Sequence, residues 1–120
     1  MKSHKDLTVW QKSIDFVTEI YKISDEFPRQ EAFGLQGQMR RAAISIPSNI
    51  SEGASRASSK EFIQFLHIAL GSASELETQL IIAQKIGYMS CVDSLLTEIN
   101  TIKKMLLGLV IYLKKNTKKK

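Results

Sequence analysis

Residues 58–113 read SSKEFIQFLHIALGSASELETQLIIAQKIGYMSCVDSLLTEINTIKKMLLGLVIYL, and their spacing decides the fold. Phe62, Leu66, Ala69, Ala73, Leu76, Leu80 and Ala83 recur in steps of four and three, the interval at which side chains return to one face of an α-helix. Ser58 followed by Glu61 is a capping-box start, and Gly87 supplies the left-handed conformation that stops a helix. A second seam follows at Val92, Leu95, Ile99, Ile102, Leu106, Leu109 and Leu113, with Ser90 and Asp93 at its start. Two long helices with matching seams, separated by little more than residues 87–89, must fold back on each other as an antiparallel hairpin.

Working outward, Leu7, Trp10, Ile14, Val17 and Tyr21 predict a first helix, with Phe16, Ile20 and Ile23 broadening its apolar face and Thr8 with Gln11 as its cap. Phe27-Pro28 is expected to end it, because a residue before proline is pushed away from helical angles. A second helix over 33–52 carries Leu35, Met39, Ala42, Ile46 and Ile50 on one side and stops at Gly53. Pro47 removes one hydrogen bond from that helix and crowds the carbonyl of Ala43, which predicts a kink. The fold class is therefore all-α, an antiparallel up-and-down four-helix bundle with a kinked second helix. Residues 1–113 form the bundle, and residues 114–120 are expected to be a basic flexible tail.

Composition narrows the function classes. The chain has 120 residues, enough for one core but not two. Its single cysteine, Cys91, forms no internal disulfide, and no apolar signal opens the sequence, so a reducing cytoplasm is the expected compartment. No stretch reaches the length needed to cross a bilayer, and no membrane partner is expected. The net charge is +5, and Lys114, Lys115, Lys118, Lys119 and Lys120 account for all of it, leaving 12 basic and 12 acidic residues elsewhere. A neutral body with a basic tail suits either a solvated terminus or contacts with phosphate.

On a helical wheel Gln38, Arg41, Ser45, Asn49 and Glu52 form one polar stripe beside the seam of the second helix, and Ser72, Glu75 and Gln79 form its counterpart on the third. Level residues of an antiparallel pair have a nearly constant sum of numbers, which sets Arg41 opposite Glu75, Ser45 opposite Ser72 and Gln38 opposite Gln79. A hydrogen-bonded ladder with an Arg41–Glu75 ion pair is the expected result. The alternative, a catalytic pocket, lacks a histidine or cysteine to activate Ser45.

Other chemistry fails on spacing. Neither His4 nor His67 stands in a Glu-x-x-His motif, so no metal or other cofactor is expected. Gly34 and Gly37 are not followed by the Gly-Lys-Ser of a phosphate loop, and no small-molecule substrate is implied. A helix-turn-helix over 51–70 would place the apolar Phe62, Ile63, Phe65 and Leu66 where a recognition helix needs polar side chains. The small residues Gly71, Ser72, Ala73 and Ser74 invite close approach of a neighbouring helix, in this bundle or in another subunit.

Trp10-Gln11, Phe27-Pro28 with Glu31, the run Gln-Met-Arg-Arg-Ala-Ala at 38–43, Ser-Ile-Pro-Ser-Asn-Ile-Ser-Glu-Gly at 45–53 and Gly-Ser-Ala-Ser-Glu-Leu at 71–76 form a recognisable set. Together they resemble the small bacterial four-helix-bundle proteins encoded in intervening sequences of 23S ribosomal RNA genes, the S23 ribosomal protein family. That family is related to the accessory variability determinant of diversity-generating retroelements, a bundle assembled as a ring of five. The resemblance implies a homo-oligomer, a pentamer by that comparison, with RNA as a partner and no catalysis. In family terms Gln38, Arg40, Arg41, Ser45, Asn49, Glu52, Gly53, Ser72 and Glu75 are architectural. Arg40 falls on the outer face of the wheel, where it is available to a subunit interface or an RNA phosphate alongside Lys114, Lys115, Lys118, Lys119 and Lys120. The rival class is a protein-protein adaptor using the surplus apolar residues Ile63, Leu70, Ile81, Leu107 and Ile111.

Overall fold

The computed structural model describes residues 3–118. Four helices, α1 (Thr8–Ser24), α2 (Leu35–Ala54), α3 (Ser59–Lys85) and α4 (Asp93–Lys118), follow one another up and down in a bundle measuring 52 × 22 × 20 Å. Single 3-10 turns at His4–Asp6 and Arg29–Glu31 precede α1 and α2, and the described residues contain no strand.

The hairpin follows its seams. All seven predicted α3 positions are buried, as are Val92, Leu95, Ile99, Ile102, Leu106 and Leu113 around α4. Leu109 is only half-buried, and Val110 takes the core position beside it. Ser58 accepts a hydrogen bond from the Glu61 amide at 3.2 Å, starting α3. Gly87 stops it at φ +90°, with the Tyr88 amide donating to the Ala83 carbonyl and the Gly87 amide to Gln84. These are the two bonds of a Schellman turn, which only a residue without a Cβ strain penalty closes cheaply. The connection is longer than predicted, because α4 begins at Asp93 and not at Ser90.

Helix α1 is rotated from its predicted face. Its buried residues are Val9, Ser13, Phe16, Ile20 and Ser24, whereas Trp10, Ile14 and Val17 are half-buried and Tyr21 is exposed. The broad apolar stripe allows both orientations, and packing against α2 selects between them. Thr8 does not cap this helix: Ser3 and Asp6 form a capping box on the preceding 3-10 turn. Helix α1 also ends at Ser24, three residues before Phe27-Pro28.

Helix α2 runs unbroken through Pro47, which is buried in its interior. Gly53 is not its stop. It lies inside the helix, buried, where a Cβ would come within 2.8 Å of both Phe62 and Phe65, so its role is to let α3 approach. Gly71, by contrast, faces open space. The lysines after Leu113 also depart from expectation: α4 continues through Lys118, so Lys114, Lys115 and Lys118 extend a helix and do not follow it as a flexible tail, while Lys119 and Lys120 lie outside the described residues.

The packing is uneven around the bundle. Helix α2 is most closely joined to α3 and α3 to α4, while α1 packs on α2 and meets α4 least. Both long interfaces bury an apolar seam, in which each fully buried leucine or isoleucine contributes about 1.5–3 kcal/mol.

Candidate functional site

The polar stripe of α2 does face α3, and its centre is a short hydrogen-bonded cluster. Ser45 Oγ and Ser72 Oγ lie 2.7 Å apart across the two helices. Asn49 Nδ2 donates to Ser45 Oγ at 2.9 Å and to the Ser45 carbonyl at 2.8 Å. Two hydroxyls sharing one contact use one of their two protons, so one remains free to donate.

Beyond this centre the predicted ladder opens. Gln38, Arg41, Ser45 and Glu75 line a surface groove of about 300 Å³, but no hydrogen bond or ion pair joins Arg41 to Glu75. The predicted pair is absent because both side chains are exposed at the groove mouth, where water solvates each charge and a single-chain bridge gains little. Gln38 is likewise exposed, and Gln79, 5% exposed, has a buried side-chain oxygen without a partner. Glu52 turns to Arg56, with 2.8 Å between charged atoms, and takes no part in the cluster.

Arg40 is not on an outer face. Its Nε donates to Ser24 Oγ at 3.0 Å and its Nη2 to the Tyr21 carbonyl at 3.1 Å, while the guanidinium lies 4.4 Å from the centre of the Tyr21 ring. Gln36 adds a bond from Nε2 to the Ser24 carbonyl at 2.7 Å. A cation and an amide from α2 thus occupy the carbonyl end of α1, where the helix dipole favours positive charge. Arg40 is half-buried against α1, with 23% of its side chain exposed.

At the same end of the bundle Glu31 bridges two connections. It accepts from the Leu35 amide at 2.9 Å, capping α2, and from the Tyr88 hydroxyl at 2.7 Å in the α3–α4 turn. The Leu35 bond, and then the Tyr88 bond, hold its carboxyl below the ordinary glutamate range, and the same carboxylate pushes the Tyr88 phenol up.

A second groove, of about 470 Å³, was not foreseen. It runs between α1 and α4 and is lined by Lys12, Asp15, Glu19, Thr97, Glu98 and Thr101, among others. A hydrogen bond with the Glu98 carboxyl, then partial burial, then the repulsion of the Glu98 charge raise the pKa of Glu19, against the pull of Lys22. Like charges at Asp15 and Glu19, one turn apart beside an apolar face, were the available sequence signal.

Among the described residues no cluster of three or more His, Cys, Asp or Glu is placed to hold a metal ion, and no helix is long and apolar enough to cross a membrane. Cys91 and His67 are both exposed.

Comparison with known proteins agrees with this architecture. A crystal structure of a protein of unknown function from the S23 ribosomal protein family of Bacteroides thetaiotaomicron superposes with a TM-score of 0.76 at 30% identity, covering 86% of this chain and 98% of the other. No curated protein matches the sequence. The model of the 23S rRNA-intervening sequence proteins matches residues 5–108, which include α1, α2, α3, the first part of α4 and the whole α2–α3 cluster. The chain belongs to the 23S rRNA-intervening sequence protein family.

Proposed function

We propose that this chain is a non-catalytic, homo-oligomeric helical bundle that accompanies RNA or a ribonucleoprotein, with the basic end of α4 contacting phosphates. One observation carries the reading. After Glu98 the sequence contains no acidic residue, and its lysines at 103, 104, 114, 115, 118, 119 and 120 follow one another along α4 and beyond. A one-signed end on a neutral body is an electrostatic footprint for a polyanion. The non-catalytic part is supported by the α2–α3 cluster, where the Ser45 hydroxyl is bonded to Ser72 and Asn49, neither of them a base.

Replacing Lys114, Lys115, Lys118, Lys119 and Lys120 by glutamine keeps the length of α4 and removes the charge. Binding to single-stranded RNA, titrated from low to high salt, should then lose up to about 3.5 from its log-log slope, about 0.7 for each phosphate contact given up. Unchanged affinity and slope would remove these lysines from the account.

The adaptor reading has its own observation. Ile81, Leu107 and Ile111 are between 39% and 54% exposed, whereas Ile63 and Leu70 are half-buried against the core. A discrete oligomer by light scattering, indifferent to RNA, would favour it.

A further inference from the structure

The aromatic side chains divide by their surroundings. Phe16 and Phe62 are buried in the core. Trp10 meets the His4 ring at 5.2 Å, Phe27 and Tyr88 meet each other at 5.2 Å, and guanidinium groups lie 4.4 and 4.9 Å from the ring centres of Tyr21 and Phe65. Among the described residues only Phe33 and Tyr112 present a ring with no such partner, and they are 95% and 60% exposed. Phe33 stands in the α1–α2 connection, at the end of the bundle opposite the last turns of α4. Tyr112 stands among the lysines of α4.

Lys104, Gly108, Tyr112 and Lys115 follow one another in steps of four, four and three, and all four are exposed, so they form one outward stripe of α4. Gly108 is the unusual member. Inside a helix it is less stable than alanine, and packing gives no reason for it, because a Cβ built there meets nothing within 4 Å. The Tyr112 ring therefore borders the space over Gly108 and leaves it open. Gly71 on α3 is equally open, but there the residue one turn on is the acidic Glu75. The α4 stripe offers a flat ring beside a gap, with an ammonium group on either side and no acidic residue after Glu98.

We infer that this stripe takes single-stranded RNA, one unpaired base stacking on Tyr112 over Gly108 while Lys104 and Lys115 contact the phosphates on either side. This rests on the phosphate-contact reading above and names the form of RNA which that reading leaves open. Every base has a π face, so stacking on an aromatic ring needs no particular sequence, whereas in a duplex those faces are covered by neighbouring pairs. A helix that lies on a membrane needs a continuous apolar face, and along this stripe a single ring alternates with lysine and glycine.

An unstructured RNA strand, an abasic strand of equal length and phosphatidylserine vesicles separate the outcomes. Tyr112→Leu should weaken binding to the RNA strand about 10-fold without changing its salt slope, and should leave binding to the abasic strand as it is. Tyr112→Phe keeps the ring and should bind as the wild type does. Gly108→Gln fills the gap from an open position where glutamine is the better helix former, so it should weaken strand binding while raising the thermal midpoint. Wild-type affinity in Tyr112→Leu or Gly108→Gln, equal loss in Tyr112→Leu and Tyr112→Phe, or an abasic strand bound as tightly as the intact one overturns the stacking. A reduced slope in the lysine-to-glutamine variant then still stands for the phosphate contacts. Unchanged affinity and slope in that lysine variant overturn both readings. Binding to the vesicles but to no strand also overturns both and assigns the face to lipid.

Discussion

Gln79 has a buried carbonyl oxygen with no hydrogen-bond partner, two helical turns from the Ser45–Ser72 pair. An unpaired buried acceptor costs about 1–3 kcal/mol, and an apolar side chain of similar size has no such debt. Gln79→Leu should therefore raise the unfolding free energy by about 1 kcal/mol in urea titration, and a loss would show that the oxygen has a partner such as an ordered water. Single residues also mark where sequence reasoning stops. The Ser45–Ser72 contact was legible because short side chains near a helix seam have one place to go, and register alone fixes it. Arg41 and Glu75 have long exposed side chains, whose ends register does not determine. Arg40 was misplaced for another reason. Its partners are the Tyr21 carbonyl and the Ser24 hydroxyl at the end of α1, and they could not be assigned while that helix was expected to continue to Phe27.

At the level of the helix, strict seams proved more informative than broad ones. The narrow α3 stripe admits one orientation and was read without error, whereas the wide apolar face of α1 left its rotation to be decided by α2. Glycine shows the same dependence on context. Gly53 and Gly108 both lie inside helices, where alanine is the better helix former by about 1 kcal/mol. An added Cβ at Gly108 meets nothing within 4 Å, but at Gly53 it would press on Phe62 and Phe65 at 2.8 Å. Overpacking of that kind costs about 1–3 kcal/mol. Gly108→Ala should raise the thermal midpoint, while Gly53→Ala should lower stability by about 1 kcal/mol, although propensity alone would rank the two alike. A Gly53→Ala protein as stable as the Gly108→Ala protein would show that the phenylalanines move aside at little cost.

Over the whole molecule, α1 is the helix held most loosely on one of its sides. It is locked to α2 through Arg40 and Gln36 but is separated from α4 by the groove that contains Glu19 and Glu98. Elements with few buried contacts open first, so α1 should detach before the α2–α3–α4 unit unfolds. The chain's one tryptophan, Trp10, lies on α1 and reports on it directly, whereas circular dichroism is dominated by α3 and α4. In urea the Trp10 fluorescence midpoint should precede the helical one at pH 7. Acidity should narrow that gap. The folded pKa of Glu19 is raised, so its contribution is fully present below the unfolded value of about 4.3 and is lost as pH rises through the folded value. Glu31, with its lowered pKa, acts in a separate window: its contribution is present above about 4.3 and lost only as pH falls further. As pH falls from 7 toward about 4.3, therefore, the Trp10 midpoint should move toward the helical one, by a small amount because the groove is open to solvent screening. Glu98→Gln supplies an amide donor to the Glu19 carboxylate at every pH. It should narrow the gap at pH 7 and abolish its dependence on acid. A gap in that variant that still shrinks between pH 7 and 5 would place the control of α1 outside the carboxyl pair.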